Sequence, residues 1–269
     1  MAGTTWILLR GLVREQAHWD DFPERFAHAL GSGHRIVCLD LPGNGQLHAQ
    51  TSPARVDAMV DAARQQVRER GIRGPLRLVA LSLGGMVAVQ WLCNHPDEIE
   101  AVALINSSAA RFSPFWKRLR PMNYASIVFQ GLLGRDRLRR ERMILRISTN
   151  LLNPEQRERL AERFTEVDRL RPVGAANTVR QLWAALRFRA PVALPPAVPV
   201  LVINGAGDRL VHPDCSRDLA RHWQQPLLAH PDGGHDLSLD APEWLARTLL
   251  RWWTEQGEMS PVDGSKRLA

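Results

Sequence analysis

Ser82 ends an apolar run, Leu76 to Leu81, and precedes Leu83-Gly84-Gly85; Met86 to Cys93 then repeats at helical spacing. That order reads as strand, sharp turn and helix, with the serine at the apex and its hydroxyl held clear of its neighbours. Such a turn admits only small residues two positions either side, here Ala80 and Gly84, with alanine in place of the more usual glycine at the first. A glycine-capped turn with an incidental surface serine is the competing reading. A serine hydroxyl is a weak nucleophile near neutral pH. It needs a base within hydrogen-bond reach, and the base needs a carboxylate to orient it. His235, behind Gly233-Gly234, and Asp208, behind Gly205-Ala206-Gly207, each follow an apolar strand pattern and supply those two types. His212 and His230 are rival bases in loops near prolines, while His18, His28 and His95 fall in or beside helical patterns. Asp214, Asp232 and Asp236 are rival acids; Asp214 suits a helix start, and Asp236, next to the proposed base, points elsewhere.

The elements that must position these residues alternate. Trp6 to Leu9, Ile36 to Leu39, Leu76 to Leu81, Ala101 to Ile105, Val200 to Ile203 and Pro226 to Ala229 are short apolar runs, as expected of strands covered on both faces. Helical patterns lie between them. Trp19, Phe22, Phe26 and Leu30 predict one amphipathic helix, and Ser52-Pro53 predicts the start of another whose buried stripe is Val56, Met59, Val60, Ala63 and Val67. The spacing predicts further helices over 213–223 and 241–253. The alternation indicates an α/β fold with a parallel sheet and helices on both faces. Ser82, Asp208 and His235 all fall at its carboxyl edge, where open parallel sheets form their sites. From 107 to 196 the alternation stops, and only helical patterns occur, at 124–133, 136–147, 154–170 and 175–186. The expected organisation is therefore a core of 1–106 and 197–256, a helical cap of 107–196 and a flexible polar tail of 257–269. An insertion of that length between strands is usually functional.

The 269 residues suffice for one large core without staples. Three scattered cysteines, Cys38, Cys93 and Cys215, form neither a disulfide framework nor a zinc motif. No stretch approaches the roughly 20 apolar residues of a membrane span, and a strand begins by Thr5; a cytoplasmic protein is expected. The formal charge of +7 is uneven: residues 111–189 hold 18 Lys+Arg and 7 Asp+Glu, which leaves the rest at −4. Arg135, Arg139, Arg142 and Arg146, spaced i, i+4, i+7 and i+11, would share one helix face. Four like charges on one stripe predict an anionic partner, an acidic carrier protein first and an anionic membrane surface second; a solvated helix face is the plainer reading. No nucleic-acid motif accompanies the basic balance.

Arg10-Gly11, Asp40-Leu41-Pro42-Gly43-Asn44-Gly45, the Ser82 turn, Gly205-Ala206-Gly207-Asp208 and Gly233-Gly234-His235-Asp236 together resemble the α/β-hydrolase family from Thr5 to about Trp253. The resemblance implies that fold, here with six parallel strands because the family's first hairpin is missing, and a helical cap. It implies a Ser82-His235-Asp208 triad and an oxyanion hole from the backbone N–H groups of Leu12 and Leu83. It further implies hydrolysis of an ester or thioester through an acyl-enzyme, with no metal or organic cofactor. Arg10 stands where the family usually has histidine; either it favours an anionic substrate or it pairs with a nearby acid. Trp19 and Ser108 are further candidates for the pocket. The layout is similar to esterases that cleave pimeloyl-carrier methyl esters, and this implies an acyl carrier protein as partner for the basic cap. A non-hydrolytic elimination on the same triad and a non-catalytic binding role are the alternatives.

Overall fold

The structure, a computed structural model, describes residues 4–128 and 134–259. Six strands form one sheet: β1 (Thr4–Leu9), β2 (His34–Leu39), β3 (Leu76–Leu81), β4 (Ile99–Ile105), β5 (Val200–Gly205) and β6 (Leu227–His230). Their order is β2-β1-β3-β4-β5-β6, and every neighbouring pair is parallel. Successive side chains of a strand point to opposite faces, so each apolar run feeds two cores. Ile7, Leu9, Leu78, Ala80, Val102 and Leu104 pack on one face against α2 (Val56–Glu69) and α3 (Leu83–Asn94). Trp6, Leu8, Val79, Leu81, Ala103 and Ile105 pack on the other against α1 (Phe22–Leu30) and α11 (Pro242–Met259).

The chain between β4 and β5 contains no strand among the described residues. It carries two short turns of helix, α4 (Phe115–Arg118) and α5 (Tyr124–Ser126), and three longer helices, α6 (Arg137–Ser148), α7 (Pro154–Leu170) and α8 (Ala175–Arg187). α6 starts on Asp136, whose carboxylate accepts the Arg139 N–H; α7 starts on an Asn153–Gln156 capping box with Pro154 in the first turn. α6 and α7 pack through Leu145, Ala161 and Phe164, with Leu239 of α10 (Leu237–Asp240) closing that cluster from the core. α9 (Asp214–Trp223) joins β5 to β6.

Four local expectations differ from the structure. Trp19 belongs to a separate 3-10 turn, Gln16–Trp19, because Asp20 adopts φ 54° and Pro23 lies in the first turn of a fresh helix. Ser52-Pro53 does not begin α2, which starts at Val56; the Ser52 hydroxyl donates instead to the Pro42 carbonyl at 2.6 Å. Arg135 precedes α6, so the arginine stripe loses its first member. α11 continues to Met259, past the expected start of the tail; 260–269, and residues 129–133 of the predicted helix over 124–133, lie outside the described residues. No described helix is long and apolar enough to cross a membrane.

Candidate active site

β3 delivers Ser82 to the turn before α3 with φ 56° and ψ −115°, a backbone region that residues with a side chain rarely enter. Three anchors hold it there. The Ser82 N–H donates to Ile105 O at 2.9 Å; its carbonyl accepts from Gly85 N at 3.0 Å and from Ser107 Oγ at 2.9 Å. Gly84 is required beside it, because a Cβ there would collide with the carbonyls of Leu9 and Arg10. The backbone of β1 thus passes directly under the first turn of α3.

His235 and Asp208 meet: His235 Nδ1 lies 2.7 Å from Asp208 Oδ2, and both side chains are buried. Asp208 is fixed in turn by the N–H groups of Leu210 and Val211, which donate to Oδ1 at 2.8 and 2.9 Å. The rival acids Asp214 and Asp236 are engaged elsewhere, Asp214 with Lys117 and Arg217 and Asp236 with Arg10. The rival bases are engaged too: His212 Nδ1 accepts the Asp214 N–H, and His230 Nδ1 accepts the Gly233 N–H. Ser82 and His235 line one cavity; no hydrogen bond joins them among the described residues.

Leu83 N opens α3, and Leu12 sits in the turn after β1. Neither N–H has a partner among the described residues, so both remain available as donors. The next residue, Val13, takes φ 53°, and its N–H donates to Gln181 Oε1 of α8 at 2.9 Å. Gln181 Nε2 donates to Asn44 Oδ1 at 2.8 Å and to Ser52 Oγ at 2.9 Å. One fully buried glutamine of the cap therefore ties the Leu12 turn to the loop after β2.

Arg10 lines the cavity, but its charge is committed. Its guanidinium contacts Asp236 Oδ2 at 2.5 Å and Ser238 Oγ at 3.0 Å and stacks 4.7 Å above the Trp19 ring. Burial works to raise the Asp236 pKa, but the Arg10 charge and hydrogen bonds outweigh it and hold the carboxyl below its usual range. Of the two readings of Arg10, pairing with an acid is the one present. Trp19 lies in the core beneath Arg10 and not on the cavity wall. Ser108 does line the cavity, and its hydroxyl accepts from Arg118 Nε at 3.3 Å.

The cavity encloses about 320 Å³ between sheet and cap. Leu81, Met86 and Leu210 line it together with Ile144, Ile147 and Leu182 of the helices between β4 and β5. No group of three or more His, Cys, Asp or Glu among the described residues is placed to hold a metal. Burial pushes the Cys38 thiol up to about 12 and the Cys93 and Cys215 thiols up to about 11, which keeps all three protonated at neutral pH.

Sequence reasoning passed over two residues that brace this site. Asn106, at φ 46°, donates from Nδ2 to the carbonyls of Gly234 and His235 at 3.1 and 2.8 Å and accepts the Gly205 N–H at 3.0 Å. It clamps the ends of β4, β5 and the His235 loop together. Asp240 accepts the N–H groups of Gly234, Asn150 and Leu151, at 2.7, 2.8 and 3.0 Å, and so joins that loop to the cap. A polar residue just past a buried strand was the one available signal for Asn106.

The family model for the alpha/beta hydrolase fold matches residues 7–242. The chain is 33% identical over 93 residues to the biotin biosynthesis bifunctional protein BioHC of Teredinibacter turnerae, covering 35% of this chain and 15% of that protein. It is 32% identical over 84 residues to the pimeloyl-[acyl-carrier protein] methyl ester esterase of Chromobacterium violaceum, covering 31% of each. The match thus spans less than a third of either curated relative. A thermophilic esterase from Thermogutta terrifontis superposes with a TM-score of 0.72 at 20% identity, covering 94% of this chain and 90% of that one, a likeness of fold.

Proposed function

This chain belongs to the α/β-hydrolase fold family, and we propose that it is a serine hydrolase cleaving carboxylic esters or thioesters through an acyl-enzyme. The observation that carries this reading is a serine held at positive φ on the wall of the cavity that also holds a histidine oriented by a buried aspartate. Asp208 engages Nδ1 of His235, which leaves Nε2 to take the proton from Ser82 Oγ as that oxygen attacks the acyl carbon. The backbone N–H groups of Leu12 and Leu83 receive the oxyanion, each contributing about 2.7–4 kcal/mol to the transition state if it acts like a measured oxyanion donor. The imidazolium returns its proton to the leaving oxygen or sulfur. Water then attacks the acyl-enzyme with His235 again as base and releases the acid.

The test is turnover of p-nitrophenyl esters of graded acyl length beside acyl thioesters. Ser82-dependent hydrolysis of at least one series is expected. Turnover that persists in Ser82→Ala, or its absence across both series in the wild type, rejects the reading; elimination or a binding role on the same fold would then take its place.

A second reading adds a carrier. The match to a pimeloyl-[acyl-carrier protein] methyl ester esterase and the exposed Arg139 and Arg146 of α6 both favour an acyl group presented on an acidic carrier protein docked at the cap. Arg142 contributes less, because it is engaged with Glu158 of α7. A cytoplasmic location accords with a carrier-linked substrate.

A further inference from the structure

The charged side chains on the cavity wall can be matched one against another. Arg10 pairs with Asp236 at 2.5 Å, Arg14 with Glu141 at 2.6 Å and Arg140 with Asp168 at 2.5 Å, and all six line the cavity. Asp168 is shared with Arg137, so no acid is left over. Arg118 also lines the cavity and is 7% exposed, yet it meets no carboxylate among the described residues. Its Nε donates to Ser108 Oγ at 3.3 Å, Nη1 to Leu186 O at 2.8 Å and Nη2 to Ala185 O at 2.5 Å. The two carbonyls belong to the last turn of α8, whose end carries about half a negative charge. Capping that helix is therefore a sufficient account of two hydrogen bonds but not of the full cation. A guanidinium has five N–H donors, and three are used here. Ser108 Oγ accepts from Arg118 and keeps its own hydrogen to donate. Burial pulls the Arg118 pKa down to about 10, in keeping with a cation that lacks a counter-charge. Leu119, Leu182 and Val211 also line the cavity.

We propose that the cavity selects acyl groups bearing one negative charge, as in half-esters of dicarboxylic acids, with Arg118 and Ser108 holding the distal carboxylate. This rests on the serine-hydrolase reading and specifies its substrate class. An entering carboxylate completes the fourth ion pair of the wall and uses the two free N–H groups. A neutral acyl chain leaves them unpaired in a buried position, the kind of mismatch that polar sites reject strongly.

Two measurements test it. The first compares kcat/KM for monomethyl adipate and methyl hexanoate, which share a six-carbon acyl chain. The half-ester should be preferred by about tenfold or more, and Arg118→Gln should lower that ratio by about tenfold while Arg118→Lys keeps most of it. An equal or reversed preference in the wild type, or an unchanged ratio in folded Arg118→Gln, overturns the proposal. The second needs no variant at position 118 and no turnover: calorimetric binding of adipamate and of neutral hexanamide to wild-type protein. Adipamate should bind about tenfold more tightly; hexanamide binding as well or better overturns the proposal. Lack of Ser82-dependent hydrolysis of both esters together with the p-nitrophenyl and thioester series would reject the serine-hydrolase reading instead, whichever amide binds better.

Discussion

His235 and Asp208, both buried, are joined by a 2.7 Å contact, and Asp208 is held by two backbone N–H groups of its own. That geometry predicts unequal losses. On the proposed mechanism His235→Ala should cost about 10⁶-fold in kcat and Asp208→Ala about 10⁴-fold, because the base would act as a unit with the nucleophile while the acid would only orient it. Single-turnover hydrolysis of p-nitrophenyl acetate reads both; equal losses would leave Asp208 more than an orienting role. A different histidine links stability to pH. His18 is buried against Phe164, and burial, reinforced by the nearby Arg14, holds its pKa well below 6.5. Below about pH 6.5 the unfolded chain therefore binds a proton that the folded one refuses, and stability falls as pH drops, by at most about 1.4 kcal/mol per pH unit. Urea midpoints at pH 7.5, 6.5 and 5.5 should show this decline, and His18→Leu should flatten it. An identical decline in both proteins would assign the effect to other groups.

Elements reach the site through side chains that cross from one to another. α8 contributes Gln181, whose amide fixes both the turn beside the Leu12 N–H and the loop after β2. Gln181→Leu keeps the volume but strands buried partners, so it should destabilise by about 1–3 kcal/mol. If the Leu12 N–H receives the oxyanion as proposed, the variant should also lower kcat more than it raises KM, because the turn that Gln181 holds would act on the transition state. A variant with unchanged kcat and only a lower melting temperature would confine Gln181 to cap docking. The strands and the Ser82 turn were legible in the sequence, because a doubly buried strand is a continuous apolar run and a tight turn demands small residues. Asp208 and His235 were legible because each follows such a run behind glycines. Asn106, Gln181, Asp240 and Arg118 were not, since each has a partner 68 to 168 residues away in sequence, where no local period reports it. Ser52 shows the same limit from the other side. Its Ser-Pro pair matches a helix start, but a tertiary partner took the hydroxyl.

At the scale of the whole molecule, the helical segment between β4 and β5 is both wall and surface. Its inner side supplies Ile144, Ile147, Leu182 and Arg118 to the cavity, and its outer side exposes Arg139 and Arg146. If a carrier docks there, Arg139→Glu with Arg146→Glu should raise KM for a carrier-linked acyl ester several-fold, more so at low salt, where exposed charges act over about 10 Å or beyond. KM for a small p-nitrophenyl ester should stay as it was. Equal effects on the two substrates would reduce this face to solvated helix. The central claim concerns the core beneath the cap and is open to one direct measurement. Wild-type protein is incubated with a fluorophosphonate, its intact mass is taken and the adduct is mapped by peptide mass spectrometry. The account predicts a single adduct on Ser82, absent from Ser82→Ala and strongly slowed in His235→Ala; an unlabelled wild type, or an adduct on another residue, would contradict it.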